Sequence, residues 1–178
     1  MTDWGTAAIS TELGSVTAGM DTIADRLADA YDLAARAKVR MASGQLLGVA
    51  AGIGQIQTEI EKTHAQAKSA GGRVHPILST VGRISNETTP DDVVAILNPV
   101  LGGLDAAKAA TLQIRQGITS ATVATRRNLK GGRPEQILAR LGAAKSAIDP
   151  VAQRFDRAKT ATLESIRRAR EAGAGAGK

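Results

Sequence analysis

Two histidines are the residues of this sequence whose types come closest to catalytic or metal-binding chemistry. The chain has His64 and His75 and no cysteine. Glu61 and His64 have the Glu-x-x-His spacing that binds two metal ions in four-helix bundles when it occurs twice beside two further glutamates. It occurs once here, and neither histidine falls on an apolar helical face, so we predict solvent-exposed histidines and neither metal nor cofactor. No nucleophile–base arrangement can be assembled from this inventory, and we predict a non-enzymatic protein.

Glycine clusters are a second candidate for ligand chemistry. The run from Gly48 to Gly54 lacks the lysine of a phosphate-binding loop, so its small residues are predicted to let two helices pack closely. Gly-Gly-Arg occurs at residues 71–73 and again at 131–133. Glycine amides with Arg73 or Arg133 beside them could hold an anion, although glycine pairs more often simply end helices.

The basic second half of the chain is the clearest signal for a partner. Residues 1–89 carry 8 Lys/Arg and 9 Asp/Glu, whereas residues 90–178 carry 15 and 8. A basic half attracts nucleic acid, anionic lipid or an acidic protein. The predicted anion or nucleic-acid contacts are Arg73, Arg126, Arg127, Lys130, Arg133, Arg167, Arg168 and Arg170. Against nucleic acid, aromatic residues for base stacking make up only 2% of the chain.

The elements that position these residues are predicted to be helices throughout. Apolar residues recur in alternating steps of three and four, the spacing of a coiled-coil seam. We predict an all-α fold, an elongated bundle of long Ala-rich, coiled-coil-like helices with a thin core. We predict that these seams mediate self-association, through Ile9, Leu13, Val16, Ile23, Leu27, Ile53, Ile56 and Ile60.

The boundaries of the first two helices follow from glycines. A helix is predicted over residues 6–42, and Ser43-Gly44 interrupts it, after which the apolar spacing resumes in a new phase from Leu46. The phase change requires a hairpin or a kink near Gly44, and the hairpin is favoured. Gly71-Gly72 is predicted to end the second helix.

Prolines punctuate the rest of the chain. Thr89-Pro90 predicts a helix start, with a capping hydroxyl and Pro at the first helical position. The same signal at Pro99 predicts that this helix stops near Leu97 and that a new one begins. Pro134 is predicted to open a helix that Pro150 restarts or kinks.

An internal repeat underlies the predicted domain organisation. The pattern Gly-Gly-Arg, three residues, Ile-Leu, three residues, Gly occurs at residues 71–82 and 131–142. We predict a helical hairpin at residues 1–70, two related modules at 71–130 and 131–171, and a disordered tail at 172–178.

Location is predicted from what the sequence lacks. The most apolar run, residues 46–56, is too short to span a bilayer, and no Sec signal peptide is visible. We predict no membrane span and a cytoplasmic location, with export without a Sec signal peptide as the alternative.

In composition the chain resembles small helical proteins of unknown function from high-GC actinobacteria, because it is rich in Ala, Arg and Gly and has no cysteine. Some of these look like the helical-hairpin substrates of type VII (ESX) secretion, which carry Trp-x-Gly at the hairpin turn. Here Trp4-Gly5 lies at the N-terminus without the intervening residue, and Ser43-Gly44 stands at the predicted turn without a Trp. The resemblance implies an exported helical partner, and no functional residue is carried over.

Three functional hypotheses follow. The first is a structural or scaffolding protein that self-assembles into a homo-oligomer, such as a filament or shell. The second is a non-specific, nucleoid-type nucleic-acid binder that uses the basic half. The third is an exported partner of another helical protein in a secretion or toxin system.

Overall fold

A computed structural model describes residues 3–129 and 134–176. Five helices account for nearly all of this part of the chain: α1 (Thr6–Ser43), α2 (Leu47–Gly72), α3 (Val74–Val81), α4 (Pro90–Asn128) and α5 (Glu135–Ala176). The predicted all-α fold is confirmed. At 1.5 Å per residue, α1 alone is about 55 Å long, so the bundle is elongated.

The four long helices form an antiparallel bundle. Helix α1 packs between α2 and α5, and α4 packs against the other sides of the same two helices. The short α3 packs mainly on α4 and α1. Helices α1 and α2 make a hairpin through a turn at Gly44, in which the Leu46 amide donates to the Met41 carbonyl at 2.9 Å. The predicted hairpin is therefore correct.

The predicted apolar seams form the core of the single chain. Ile9, Leu27, Ile53 and Ile60 are fully buried between helices of the same molecule. Their assignment to contacts between copies is therefore wrong, because no part of these side chains is left for a second molecule. The same correction applies to the other predicted seam residues, Leu13, Val16, Ile23 and Ile56.

The core is thin, as its composition predicts. Alanines such as Ala30, Ala67 and Ala107 are fully buried at positions where larger residues would hold the helices apart. Buried threonines take other core positions, and Thr125 donates its hydroxyl proton to the Ala121 carbonyl one turn earlier at 2.7 Å. This bond satisfies a polar group that would otherwise be costly to bury.

Two prolines lie inside helices, against prediction. Helix α4 continues through Pro99, and α5 continues through Pro150. Both prolines are exposed, as are Ala95 and Ser146 one turn before them, whose carbonyls lose their amide partners. Water can solvate those carbonyls, while Leu97 and Val100 on the other face keep α4 packed on the core.

The two predicted modules have different structures. In the first copy of the repeat, α3 ends at Gly82, whereas in the second Gly142 lies inside the continuous α5. Residues from both segments and from the 1–70 hairpin join one hydrophobic core, so the predicted division into units is not observed. Helix α5 also runs through residues 172–176 of the segment predicted to be disordered, and residues 177–178 lie outside the described part.

The only tryptophan of the sequence closes one end of the bundle. Trp4 is 4% exposed and joins the core just before α1 begins. The adjacent Gly5 has a φ of 74° and approaches Ser165 and Arg168 near the end of α5. The N-terminal segment is thereby packed onto the last turns of α5.

Helix α4 is long and apolar enough to cross a membrane by length and composition. The run of residues 46–56 was therefore not the strongest apolar segment. In this fold α4 packs one face against α2 and α5, and core helices of bundles pass the same test.

Candidate functional site

The most distinctive surface lies at the end of the bundle where α1 and α4 finish. Gly52 of α2 faces the side chain of Asn128, and Gly54 faces the ammonium group of Lys38. These contacts place the end of α4 beside the last two turns of α1. We call five exposed cations there the basic end: Arg36, Lys38, Arg40, Arg126 and Arg127.

The basic end has no acidic partner in the described residues. None of its five side chains lies within 4.0 Å of a carboxylate in residues 3–129 and 134–176. The sequence contains no Asp or Glu in residues 33–58 or 106–134, which cover the end of α1, the start of α2 and the end of α4. The first acid beyond them is Glu135, in the first turn of α5. Cations in a last helical turn stabilise the helix dipole, which accounts in part for Arg40, Arg126 and Arg127. Arg36 and Lys38 lie further back along α1.

Elsewhere in the second half, five cations pair with acids across helix interfaces. Lys108 of α4 binds Asp156 of α5 at 2.6 Å, and Lys159 of α5 binds Asp105 of α4 at 2.8 Å. Three further pairs join helices: Arg115–Asp149, Arg154–Glu12 and Arg140–Asp29. Cations held in this way have much of their charge neutralised, so the charge asymmetry of the sequence overstates the surface available to an anion.

The predicted nucleic-acid contacts do not form one surface. Arg126 and Arg127 belong to the basic end, while Arg167, Arg168 and Arg170 lie near the other end of α5. Roughly 45 Å of helix separates the two groups. Arg167 pairs with Glu171 at 2.7 Å, and Arg168 pairs with Glu164 at 2.9 Å. Antiparallel α4 and α5 carry the two groups to opposite ends of the bundle, and their contacts with nucleic acid stay predictions.

The first Gly-Gly-Arg segment does not form an anion-binding turn. Arg73 has helical φ and ψ angles of −69° and −18° at the junction of α2 and α3. Its amide donates to the carbonyls of Ser69 and Ala70, so it is not free to bind a ligand. The predicted anion site at the glycine amides is therefore not formed at this junction, while a contact of the exposed Arg73 side chain with an anion stays a prediction. Lys130 and Arg133, which include the second copy's arginine, lie outside the described residues.

The histidines belong to no metal-binding cluster within the described residues. No group of three or more His, Asp or Glu there could hold a metal ion. His64 is partly buried, and His75 is exposed as predicted. Partial burial lowers the pKa of His64 from its ordinary value, nearby Lys68 lowers the pKa further, and Asp25 opposes the shift. His64 is therefore favoured in its neutral form.

An open groove lies between α2 and α4. Its volume is about 540 Å³, and Thr58, Ser120 and Arg127 are among its lining residues. The groove borders the basic end. Its lining carries a single acid, Glu59, and it adds hydroxyl and amide groups to the arginines of this surface.

The tip of the α1–α2 hairpin was missed at the level of sequence. The apolar spacing predicts that Leu46 lies on the buried seam of α2, but Leu46 is 52% exposed and Leu47 is 71% exposed. The buried stripe of α2 begins at Ala50 instead. A pair of leucines immediately after Gly44-Gln45 was the available signal, since a helix start normally carries a polar cap.

Comparison with known proteins adds one match, and it falls on α4 and α5. Residues 88–174 match the model of a family of unknown function (DUF6244). The matched segment begins beside the Thr89 cap and covers α4 and nearly all of α5. It includes Arg126 and Arg127 but not the α1–α2 hairpin. No curated protein and no solved structure matches the chain.

Proposed function

We propose that this chain is a non-enzymatic binding protein that attaches to a polyanionic partner through its basic end. The supporting observation is the separation of charge along the bundle. Five exposed cations occupy one end without an acidic partner among the described residues, whereas seven of the fifteen other described cations pair with a carboxylate. Such a surface raises the local concentration of an anionic partner and orients it towards the end of the bundle.

Self-assembly through the predicted seams is not part of this proposal. The seam side chains are buried in the core of one chain, so they stabilise the monomeric fold. Two basic ends also repel each other, which disfavours an end-to-end contact between copies.

The test is retention on heparin–agarose, a sulfated polyanion. The end variant carries Arg36→Gln, Arg40→Gln, Arg126→Gln and Arg127→Gln, and its formal charge falls from +6 to +2. We expect it to elute at clearly lower salt than the unaltered protein, because fewer counterions are released when it binds. Gln preserves helix propensity, so the fold should be retained.

A matched control removes the same charge elsewhere. Arg73, Arg83, Arg157 and Arg170 are exposed and lie outside the basic end, and changing all four to Gln also leaves +2. The control is expected to elute close to the unaltered protein. Equal losses in both variants would mean that binding follows net charge alone, and the proposal would be wrong.

A further inference from the structure

We propose that the polyanionic partner is an anionic lipid bilayer, and that Leu46 and Leu47 enter it at the tip of the α1–α2 hairpin. This inference rests on the proposed function, because it names the chemistry bound by the basic end. It depends on three features of that end: a protruding turn, exposed leucines on the turn, and cations just behind it.

The hairpin extends beyond the described end of α4. Gly52 lies beside Asn128, the last residue of α4, so α2 continues for more than a turn past that level before it reaches Leu47. We call residues 41–49 the tip; all of them are exposed except Met41 and Val49, which are partly buried. A flat surface approaching this end of the bundle meets the tip before it meets the end of α4.

The leucines of the tip have no role in the fold. Leu46 occupies the position before the first residue of α2, where a hydrogen-bonding side chain is normally favoured, and it makes no side-chain cap. Leu47 is the most exposed large apolar side chain of the described residues, at 71%, and Val39 nearby is 68% exposed. Apolar side chains placed together on a protruding turn are typical of surfaces that leave water on binding.

The cations lie at the depth that a lipid headgroup would occupy. Arg40 is about 5 Å below the end of α1, and Arg36 is about 10 Å below it. Interfacial helices bury their apolar face about 5–10 Å into the boundary between headgroups and acyl chains. Tip leucines at that depth would bring the guanidinium groups level with lipid phosphates, where each cation strengthens binding to anionic lipid.

A bilayer fits these features better than a nucleic acid does. The phosphate backbone of a nucleic acid gives exposed leucines nothing apolar to bury against. Binding to single strands relies on aromatic stacking, and Trp4 lies at the opposite end while Tyr31 packs partly against the core. The bilayer alone accounts for both the cations and the leucines.

The experiment is flotation with vesicles of equimolar phosphatidylglycerol and phosphatidylcholine, compared with phosphatidylcholine alone. The tip variant carries Leu46→Asn and Leu47→Gln, which remove apolar surface without changing charge and place a good capping residue before α2. We expect the unaltered protein to float only with the anionic vesicles. The tip variant should bind them about tenfold to a hundredfold more weakly, yet elute from heparin–agarose at the same salt concentration as the unaltered protein.

A matched control separates the tip from apolar surface in general. Leu112 of α4 and Leu163 of α5 are 39% and 49% exposed on the sides of the bundle. Leu112→Gln with Leu163→Gln should leave vesicle binding unchanged. If this control weakens binding as much as the tip variant does, the assignment to the tip is wrong.

The remaining outcomes distinguish the inference from the function beneath it. Heparin retention without any vesicle binding would overturn the membrane inference and leave the proposed function standing. Binding to duplex DNA that is tighter than binding to vesicles and indifferent to the tip variant would make nucleic acid the partner. If the unaltered protein binds neither heparin nor vesicles, both proposals are overturned.

The depth to which the tip enters the bilayer can be measured with a spin label, because the chain has no cysteine that would compete with an introduced one for labelling. Gly48 in the tip and Gly142 on the side of α5 both have open space where a side chain would begin. A nitroxide attached at Gly48→Cys should become shielded from a water-soluble paramagnetic reagent when anionic vesicles are added. A nitroxide at Gly142→Cys should remain accessible, and equal shielding at both positions would contradict insertion by the tip.

Discussion

Gly19 of α1 packs directly against the side chain of Val151 of α5, and a Cβ at this glycine would overlap Cγ2 of the valine. The absence of a side chain therefore sets how closely these two helices approach. Gly14 lies in the same helix with open space around it. The two positions separate the packing role of glycine from its helix propensity.

We expect Gly19→Ala to destabilise the protein by about 1–3 kcal/mol, because the added methyl group overpacks the interface of α1 and α5. Gly14→Ala should stabilise it by about 0.5–1 kcal/mol through helix propensity alone. Urea denaturation followed by circular dichroism measures both free energies of unfolding. Equal stabilisation by the two changes would show that the helices do not meet as closely as described.

Replacement of the proline inside α4 should stabilise the protein. Pro99→Ala restores the missing amide on the exposed face and is expected to raise the free energy of unfolding by up to about 3 kcal/mol. Pro90 stands at the first helical position, where proline is already favoured, so Pro90→Ala should give no such gain. If thermal melting shows the same gain for both variants, α4 does not continue unbroken through Pro99.

The start of α4 depends on a single hydroxyl. Thr89 accepts from the Asp92 amide at 3.3 Å and donates to the Asp92 carboxylate at 2.6 Å. Thr89→Ala should cost about 1 kcal/mol of stability, measured by denaturation. Thr119→Ala is the control: this exposed hydroxyl bonds to a carbonyl of its own helix, and its loss should be nearly neutral. If Thr89→Ala leaves the free energy of unfolding unchanged, Thr89 does not cap α4.

His64 should make stability depend on pH near neutrality. Because burial lowers the pKa of His64 in the folded state, the unfolded chain binds more protons as pH falls through the ordinary histidine range. Its contribution to stability is therefore intact above the unfolded-state pKa and is lost as pH falls towards the lowered folded-state value. Denaturation at a series of pH values should show this slope, and His64→Gln should remove it.

Exposed His75 provides the control for that series. His75→Gln should retain the slope of the unaltered protein. A slope that survives His64→Gln must come from other groups, and the role given to His64 would then be wrong.

The sequence predicted the helices well and their partners poorly. The spacing of Ile9, Leu13 and Val16 requires a buried stripe, but spacing alone does not say whether the stripe packs against another helix of the same chain or of a second copy. The prediction of a helix end at Pro99 considers only the hydrogen bond that proline removes. Burial of Leu97 and Val100 on the other face of α4 keeps the helix continuous, and the local sequence does not show this burial. Local signals lacked that tertiary information.

The basic end could not be predicted from charge counts. Arg40 and Arg126 are far apart in sequence and come to the same end of the bundle only through the antiparallel order of α1, α2 and α4. The same order sends Arg167 to the other end and pairs Lys108 and Lys159 with acids. Total charge is a property of the sequence, whereas unpaired charge is a property of the fold.

The burial of Trp4 has a practical consequence for binding studies. Its indole is the only one in the chain, and it lies beside the end of α5, about 55 Å from the hairpin turn. Intrinsic tryptophan emission will therefore follow the melting of that remote end and stay constant when a partner occupies the other. A label-free fluorescence titration would record no signal change even at saturation, so a flat titration curve must not be taken as absence of binding.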